Sequence, residues 1–208
     1  CHVTIIHEAQ GPSNTITCAE ASGILSIGES LRVIQRNAAD ACFCGGTESK
    51  INPMGMLRQQ MTGRLISNSV DNPGTAVRPF DQSAQGTALG EGGGIVILEA
   101  METFEKRNDA KGYAEVIGFG ASHSVHRSRR NLTPDEQGQG IALAIRAAMR
   151  EAKVQPDEVD LVVPFGIGMP AYDQAEAAAL RSVFGEALAR IPVVSNKAIV
   201  GNTCAGVG

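Results

Sequence analysis

The sequence has no apolar run long enough to span a membrane and no excess of positive charge. Its 208 residues carry 18 Lys and Arg against 22 Asp and Glu, a net charge of −4. The composition therefore gives no indication of a nucleic-acid partner or of a membrane span. With 43% apolar and 19% charged residues, the chain resembles ordinary globular proteins and is long enough for one sizeable core. We expect a cytoplasmic protein.

Cysteines are few, and their number is odd, which does not suit a disulfide scaffold. Of the five cysteines, Cys42 and Cys44 have no second pair at metal-ligand spacing. They lie in a short apolar run that ends in glycine, which favours buried free thiols on a central strand over metal ligands. The sequence gives no indication of a metal or a nucleotide cofactor.

Alternating apolar patterns predict an α/β layered fold with no linker between domains. Helices are predicted over 21–36, from 101 to 107, over 138–152 and from 173 to about 184. Strands are predicted at 40–45, 95–98, 113–119, 161–163 and 192–195. The glycine-rich stretch 90–94 is predicted to be a turn. It is not a phosphate loop, because it lacks a Gly-Lys-Ser/Thr ending and leads into a strand.

Seven motifs occur in the order and at the spacing of one enzyme family. They are GPSNTITCAEASG (11–23), CFCGGTE (42–48), GRLIS (63–67), RPFD (78–81), GEGGG (90–94), PFGIGMPAYD (164–173) and KAIVGN (197–202). Together they resemble the β-ketoacyl synthase family over nearly the whole chain. The resemblance implies a thiolase-like layered α-β-α-β-α fold, of which this chain would cover about the central half. Residues 1–100 would end the N-terminal half and residues 101–208 would start the C-terminal half, so we expect a fragment of a longer chain.

The catalytic positions of that family hold altered residues here. Glu20 stands at the position of the attacking cysteine, Phe165 at that of the first histidine and Asn202 at that of the second, while Lys197 is retained. A carboxylate cannot accept an acyl group from a thioester and release it to a carbanion as a thiolate does. Phe165 offers no hydrogen-bond donor, and Asn202 can donate one but exchanges no proton near neutral pH. We expect no intact catalytic site. These four residues would line a vestigial substrate pocket, with Lys197 as a polar anchor paired to Glu20 or Glu91.

These alterations resemble one branch of the family, the chain-length factor of type II polyketide synthases. Members of this branch carry glutamine at the cysteine position, and this chain has the corresponding acid. The letters GPS, GR, GMP and DQAEA around the motifs are also similar to that branch. The resemblance implies a heterodimer with an active ketosynthase, a role in shaping the acyl-chain tunnel, and malonyl or acyl chains on an acyl carrier protein as ligands. A related loading domain decarboxylates malonyl groups through both histidines, so Phe165 and Asn202 argue against that reaction.

Other interpretations of this turn stay open. Glu20 can be the general base or nucleophile of an atypical acyltransferase or hydrolase, with Asn202 as an oxyanion donor. It can also be a helix-start acid without a further role, or part of a purely structural homodimer. Cys18 can be a displaced nucleophile. A helix N-terminus favours an anion and burial opposes one, so the charge state of Glu20 is not predicted.

Two further features have alternative interpretations. The basic run His126, Arg127, Arg129 and Arg130, within the polar segment 123–139, either docks an acidic carrier protein or is an ordinary solvated loop, and the second is favoured. Met54, Met56 and Met61 either line an acyl tunnel or a subunit interface, or pack in the core.

Overall fold

The computed structural model describes residues 2–66, 72–107, 111–124 and 134–207. In chain order the helices are α1 (His2–Ile6), α2 (Ser22–Gln35), α3 (Pro53–Met61), α4 (Met101–Glu105), α5 (Gln139–Ala152), α6 (Pro170–Phe184) and α7 (Lys197–Val200). The two strands are β1 (Ala41–Ser49) and β2 (Glu91–Glu99). Within these described ranges, no helix combines the length and the apolar character needed to cross a membrane.

The chain divides into two compact units. The first consists of residues 1–49, 91–116 and 203–208, and the second of residues 50–90 and 117–202. Each unit therefore contains segments that are distant in sequence.

The first unit is built on an antiparallel pair of strands. β1 and β2 pair in register from Ala41 opposite Glu99 to Ser49 opposite Glu91, and α2 packs against β1. At Gly46 a Cβ atom would overlap the carbonyl oxygen of Ala205 and lie 3.1 Å from the Cα atom of Gly23. Glycine therefore lets three segments of this unit approach one another closely.

The core of the second unit lies around α6 and the turn that follows it. Its buried centre consists of Leu180, Phe184, Ala187 and Ile191. Ile145 and Met149 of α5 pack against this centre. Isolated parallel bridges join Leu65 to Thr87, Leu89 to Asn202 and Val162 to Val193.

The predicted helices at 21–36, 101–107 and 138–152 are confirmed as α2, α4 and α5. The helix predicted from 173 begins earlier, at Pro170, because proline has the backbone angle of a first helical turn and lacks only an N–H that would be unpaired there. The strands predicted at 40–45 and 95–98 are confirmed and longer. The predicted turn at 90–94 is wrong, since residues 91–94 belong to β2.

Three predicted strands are not formed as such. Residues 113–119 are in no strand, and segments 161–163 and 192–195 contribute only the bridge from Val162 to Val193. A strand needs a ladder of backbone partners, which an apolar pattern alone does not supply.

Helix α3 was not predicted, and its methionines are exposed. Asn52 caps the helix, since its Oδ1 atom accepts from the Gly55 N–H at 2.8 Å. Met54, Met56 and Met61 are 58%, 47% and 78% exposed. The interpretation of these methionines as core is therefore wrong for this chain, and their place in a tunnel or interface stays a prediction.

Candidate functional site

The first turn of α6 carries a buried aspartate that binds the preceding loop. The Oδ1 atom of Asp173 accepts from the N–H of Ile167 at 3.0 Å. Its Oδ2 atom accepts from the N–H of Gly168 at 3.1 Å and from that of Phe80 at 2.8 Å. One side chain therefore fixes two separate segments of the second unit.

Glu176, one turn further along α6, completes this arrangement. Its Oε1 atom accepts from the N–H of Phe165 at 2.7 Å, and its Oε2 atom from that of Gly166 at 2.8 Å. Four successive backbone N–H groups, from 165 to 168, are thus bound by two carboxylates. We call this segment the 165–168 loop.

Gly166 has a backbone conformation that only glycine adopts easily. Its φ is +46°, and a Cβ atom would lie 2.8 Å from Ser195 Oγ and 2.9 Å from a ring carbon of Phe80. The Ser195 hydroxyl donates to the Gly166 carbonyl at 3.1 Å. The 165–168 loop is therefore held from both sides.

Burial dominates the electrostatics of the two acids. It raises the pKa of Asp173, against the lowering effect of the bonds from Phe80, Ile167 and Gly168. Burial also raises the pKa of Glu176, with a smaller raising contribution from the charge of Asp173. The bonded N–H groups and the charge of Lys197 lower it. Both carboxyl groups therefore hold protons more tightly than exposed ones.

Lys197 is 3% exposed at the start of α7. Its Nζ atom lies 5.4 Å from the centre of the Phe165 ring, within the range of a cation–π contact. Burial lowers the pKa of Lys197, and the charge of Glu176 opposes this change. The acid that acts on Lys197 within its own unit is thus Glu176. The predicted pairing of Lys197 with Glu20 or Glu91, which belong to the first unit, stays a prediction.

Asn202 is fully buried in the second unit. Its N–H donates to the Ala88 carbonyl at 2.8 Å, and its carbonyl accepts from the Gly90 N–H at 2.9 Å. The structure thus brings Phe165 into contact with Lys197 and places Asn202 in the bridge to Leu89 in the same unit.

Glu20 lies in the first unit, in a short 3₁₀ turn (Ala19–Ala21) directly before α2, and is half-buried. The turn is closed by Ser22, whose Oγ atom accepts from the Cys18 N–H at 2.8 Å and donates to the Ala19 carbonyl at 2.7 Å. Ala19 has a φ of +47°. Glu20 therefore sits on a tight backbone turn at a helix N-terminus, where an anion is favoured.

The cysteines are free thiols in the part of the chain that the structure describes. Cys18 is exposed, Cys42 is half-buried, and Cys44 is buried on β1. No group of acids, histidines and cysteines among the described residues could hold a metal ion. The basic run His126, Arg127, Arg129 and Arg130 lies outside the described residues.

Sequence reasoning did not identify Asp173 and Glu176 as site residues. The available signal was a pair of acids three residues apart behind a proline, at the start of a helix that follows a glycine-rich loop. Asp173 lies in the first helical turn, where acids commonly bind free backbone N–H groups, and Glu176 lies one turn later.

Two family models match nearly the whole chain. The N-terminal domain of β-ketoacyl synthases matches residues 1–103, and the C-terminal domain of that family matches residues 113–208. The chain is 35% identical over 206 residues to a 3-oxoacyl-[acyl-carrier-protein] synthase 2 of Coxiella burnetii, covering 99% of this chain and 49% of that protein. It is 34% identical over 206 residues to the protein of the same name from Staphylococcus aureus, covering 99% and 50%. The chain thus spans about half the length of the curated relatives it matches.

Solved structures confirm the predicted thiolase-like fold. A type II PKS acyl-carrier protein in complex with its ketosynthase bound to the hexaketide matches with a TM-score of 0.92 and 26% identity, covering 99% of this chain and 50% of that one. The ishigamide ketosynthase/chain length factor matches with a TM-score of 0.83 and 31% identity, covering 99% and 48%. A β-ketoacyl synthase from Burkholderia phymatum matches with a TM-score of 0.87 and 28% identity, covering 99% and 48%.

Proposed function

Because the chain belongs to the β-ketoacyl synthase family, we propose that it is a non-condensing, chain-length-factor-like subunit. In this proposal it pairs with an active β-ketoacyl-[acyl-carrier-protein] synthase in polyketide or fatty acid biosynthesis. It shapes the tunnel for an acyl chain that an acyl carrier protein delivers. The active partner supplies the cysteine and the histidines.

The observation that carries this proposal is the pairing of Lys197 with a phenyl ring. A histidine at position 165 would present a proton donor to a developing enolate oxygen, as condensation requires. Phe165 presents only the face of its ring to Lys197. The backbone of the 165–168 loop is nevertheless bound at every N–H. A loop with a fixed backbone and no reactive side chain suits a pocket that binds or guides an acyl chain rather than one that reacts with it.

Glu20 and Asn202 support the same proposal. Glu20 lies on the tight turn before α2, where the family resemblance places the nucleophile, and a carboxylate is a poor substitute for a thiolate in acyl transfer. Asn202 is buried and cannot serve as an acid or base near neutral pH. The likeness to a solved ketosynthase/chain length factor at 31% identity also supports it.

A second candidate function is an atypical acyltransferase or hydrolase that uses Glu20 as base or nucleophile. The names of the curated relatives favour a catalytic role in general, since the Coxiella burnetii and Staphylococcus aureus proteins are called synthases. The position of Glu20 at a helix N-terminus also favours the charged carboxylate that such a base requires.

A reconstituted condensation assay separates the two functions. Malonyl carrier protein is supplied to this protein alone, to a cysteine-bearing ketosynthase from the same source alone, and to the pair. We expect condensation from the pair and none from this protein alone. Glu20→Ala is expected to leave the turnover of the pair within about twofold and to change product length, because residue 20 would face the chain but not react.

The matched controls are Glu20→Gln, which keeps the shape of the side chain, and Glu105→Ala, an exposed acid of α4. Product length should change with the size of the side chain at position 20 and should be unaffected by the substitution at position 105. Acyl transfer or hydrolysis by this protein alone, lost in Glu20→Ala and in Glu20→Gln, would establish the second function and refute the first.

A further inference from the structure

Two cysteines of β1 share one face of the strand. Cys42 and Cys44 are two residues apart, and side chains at that spacing point to the same side of a strand. Burial raises the pKa of both thiols, and the hydrogen bond of each thiol to the Ser30 side chain of α2 lowers it. Because one hydroxyl group reaches both sulfur atoms, the two thiols lie close together beside α2.

Both thiols line a concavity of the first unit. This concavity has a volume of about 460 Å³, and Ser30 and Val33 of α2 and Phe43 of β1 are also part of its lining. Cys42 is half-buried, whereas Cys44 is 4% exposed. We call Cys42 and Cys44 the β1 thiol pair. A small molecule in this concavity would contact both members of the pair.

The β1 thiol pair lacks the further ligands that a metal-ion site requires. Within the four described ranges, no group of three or more acids, histidines and cysteines could hold a metal ion. Glu29, an acid whose charge acts on Cys42, is bound to Arg36 at 3.0 Å. A metal ion also binds only deprotonated thiols, and burial keeps these two in the neutral form. The pair therefore suits a ligand that reacts with neutral thiols.

A direct disulfide within the β1 thiol pair would strain the strand. Two residues of an antiparallel strand span about 6.8 Å between their Cα atoms, and disulfides occur at Cα distances of about 4.4–6.8 Å. The pair therefore lies at the upper limit of that range. A bridge of one atom between the two sulfur atoms makes the link longer, so it fits the extended strand better.

We propose that the β1 thiol pair is a binding site for trivalent arsenicals, in which one soft atom bridges two sulfur atoms. With an arsenoxide, two S–H bonds and the As=O bond break, and two As–S bonds form. The oxygen atom leaves as water with both thiol protons. Arsenic stays trivalent, so the step needs no oxidant or reductant. The inference rests on β1 and α2 alone and does not depend on the proposed function.

The test titrates the whole folded protein with phenylarsine oxide. Intact mass measures the adduct, and peptide mapping after alkylation identifies the thiols that it protects. We expect one adduct on the β1 thiol pair that survives excess 2-mercaptoethanol and is reversed by 2,3-dimercaptopropanol. Because two linked thiols bind as one chelate, Cys42→Ala and Cys44→Ala should each weaken binding at least about a hundredfold.

Cys18→Ser is the matched control, because this thiol is exposed and lies outside the lining of the concavity. It should leave the affinity unchanged. Circular dichroism checks the folding of each variant, and Cys42→Ser provides a second variant at the half-buried position. Three results would each overturn the proposal: protection of Cys18 by the adduct, equal affinity in Cys42→Ala and the wild type, or a reaction that begins only in urea.

Discussion

The Nζ atom of Lys197 lies 5.4 Å from the centre of the Phe165 ring, and both residues are linked to the same acid. The backbone N–H of Phe165 donates to Glu176, and the charge of Glu176 acts on Lys197. The three residues therefore form one connected set, in which a change at one position alters the energy of the other two.

Replacement of Lys197 by methionine tests this connection. The variant keeps an apolar stem near Phe165 but removes the charge that lowers the pKa of Glu176. We expect the free energy of unfolding at pH 8 to fall by about 1–3 kcal/mol, the usual cost of a buried polar group left without compensation. Urea denaturation measures it. In the double variant Lys197→Met/Glu176→Gln the loss should be smaller than the sum of the single losses, and strict additivity would show that the residues are not coupled.

Glu176→Gln alone weakens the anchorage of the 165–168 loop. The amide keeps one carbonyl acceptor, but it loses the charge and one of the two acceptor oxygens for Phe165 and Gly166. We expect a loss of about 1–3 kcal/mol in urea denaturation, the range for a buried group left unsatisfied. Glu186→Gln, an exposed acid next to α6, is the control and should change stability by less than about 0.5 kcal/mol. Equal effects in the two variants would rule out an anchoring role.

Stability should decrease as pH rises through the range in which Asp173 and Glu176 titrate. Their folded pKa values are raised above the ordinary 3.8 and 4.5. Between the ordinary and the raised values, the folded state therefore binds more protons than the unfolded state. The contribution of each acid is fully present below its ordinary pKa and is lost as pH rises through the folded value, at no more than about 1.4 kcal/mol per pH unit for each proton.

Urea titrations from pH 4 upwards measure this slope. Asp173→Asn and Glu176→Gln should each flatten it, because an amide does not titrate in that range. If the stability of the wild type rose with pH over this range as much as the stability of the two variants, the expected direction would be wrong.

Gly46 and Gly94 lie opposite each other in the β1–β2 register and offer a matched pair of substitutions. An alanine at Gly46 would overlap the Ala205 carbonyl, whereas a Cβ atom at Gly94 meets nothing within 4 Å. We expect Gly46→Ala to cost about 1–3 kcal/mol or more through overpacking. Gly94→Ala should be neutral or slightly stabilising, since it restricts the unfolded chain. Thermal and urea unfolding measure the stability of both variants. Equal losses of stability would mean that the close approach at Gly46 has no special energetic cost.

The thiols should react with iodoacetamide in the order of their exposure. Cys18 is exposed and should be alkylated first, while Cys44 and Cys204 are buried and should react only after unfolding. Cys42 is half-buried, and burial raises its pKa, so its reaction should be slow because little thiolate is present. Peptide mapping at timed intervals measures these rates. Cys18 would be the displaced nucleophile if a condensing activity were lost in step with Cys18 alkylation and if the Cys18→Ser variant lacked that activity.

The periodicity of apolar residues predicted the helices whose apolar side chains lie along one face. In α2 and α5 apolar residues recur every three to four positions, so the predicted limits differ from the observed ones by at most one residue. The pattern was less informative for 113–119, because an apolar extended segment becomes a strand only where another segment offers its backbone. The exposure of α3 likewise could not be read from its methionines, which suit cores and surfaces equally.

The site was predictable only where a residue's own chemistry defines its role. Glu20, Phe165 and Asn202 were predicted because they stand in motifs that resemble those of the family, and each lacks a property that condensation needs; their place in one site stays a prediction. The role of Asp173 depends instead on which backbone N–H groups face it, and two of its three donors belong to a loop and one to Phe80. Such relationships appear only once separate segments have been brought together.

The shape of the 165–168 loop is specified by side chains that lie outside it. Two acids of α6 bind its backbone, and Ile167 is its fully buried side chain, whereas the side chain of Phe165 is only half-buried. The side chain at position 165 can therefore be exchanged by a point substitution while the two carboxylates keep the backbone of the loop in place. This arrangement provides a physical route by which the side chain at position 165 can change while the backbone around it keeps its conformation.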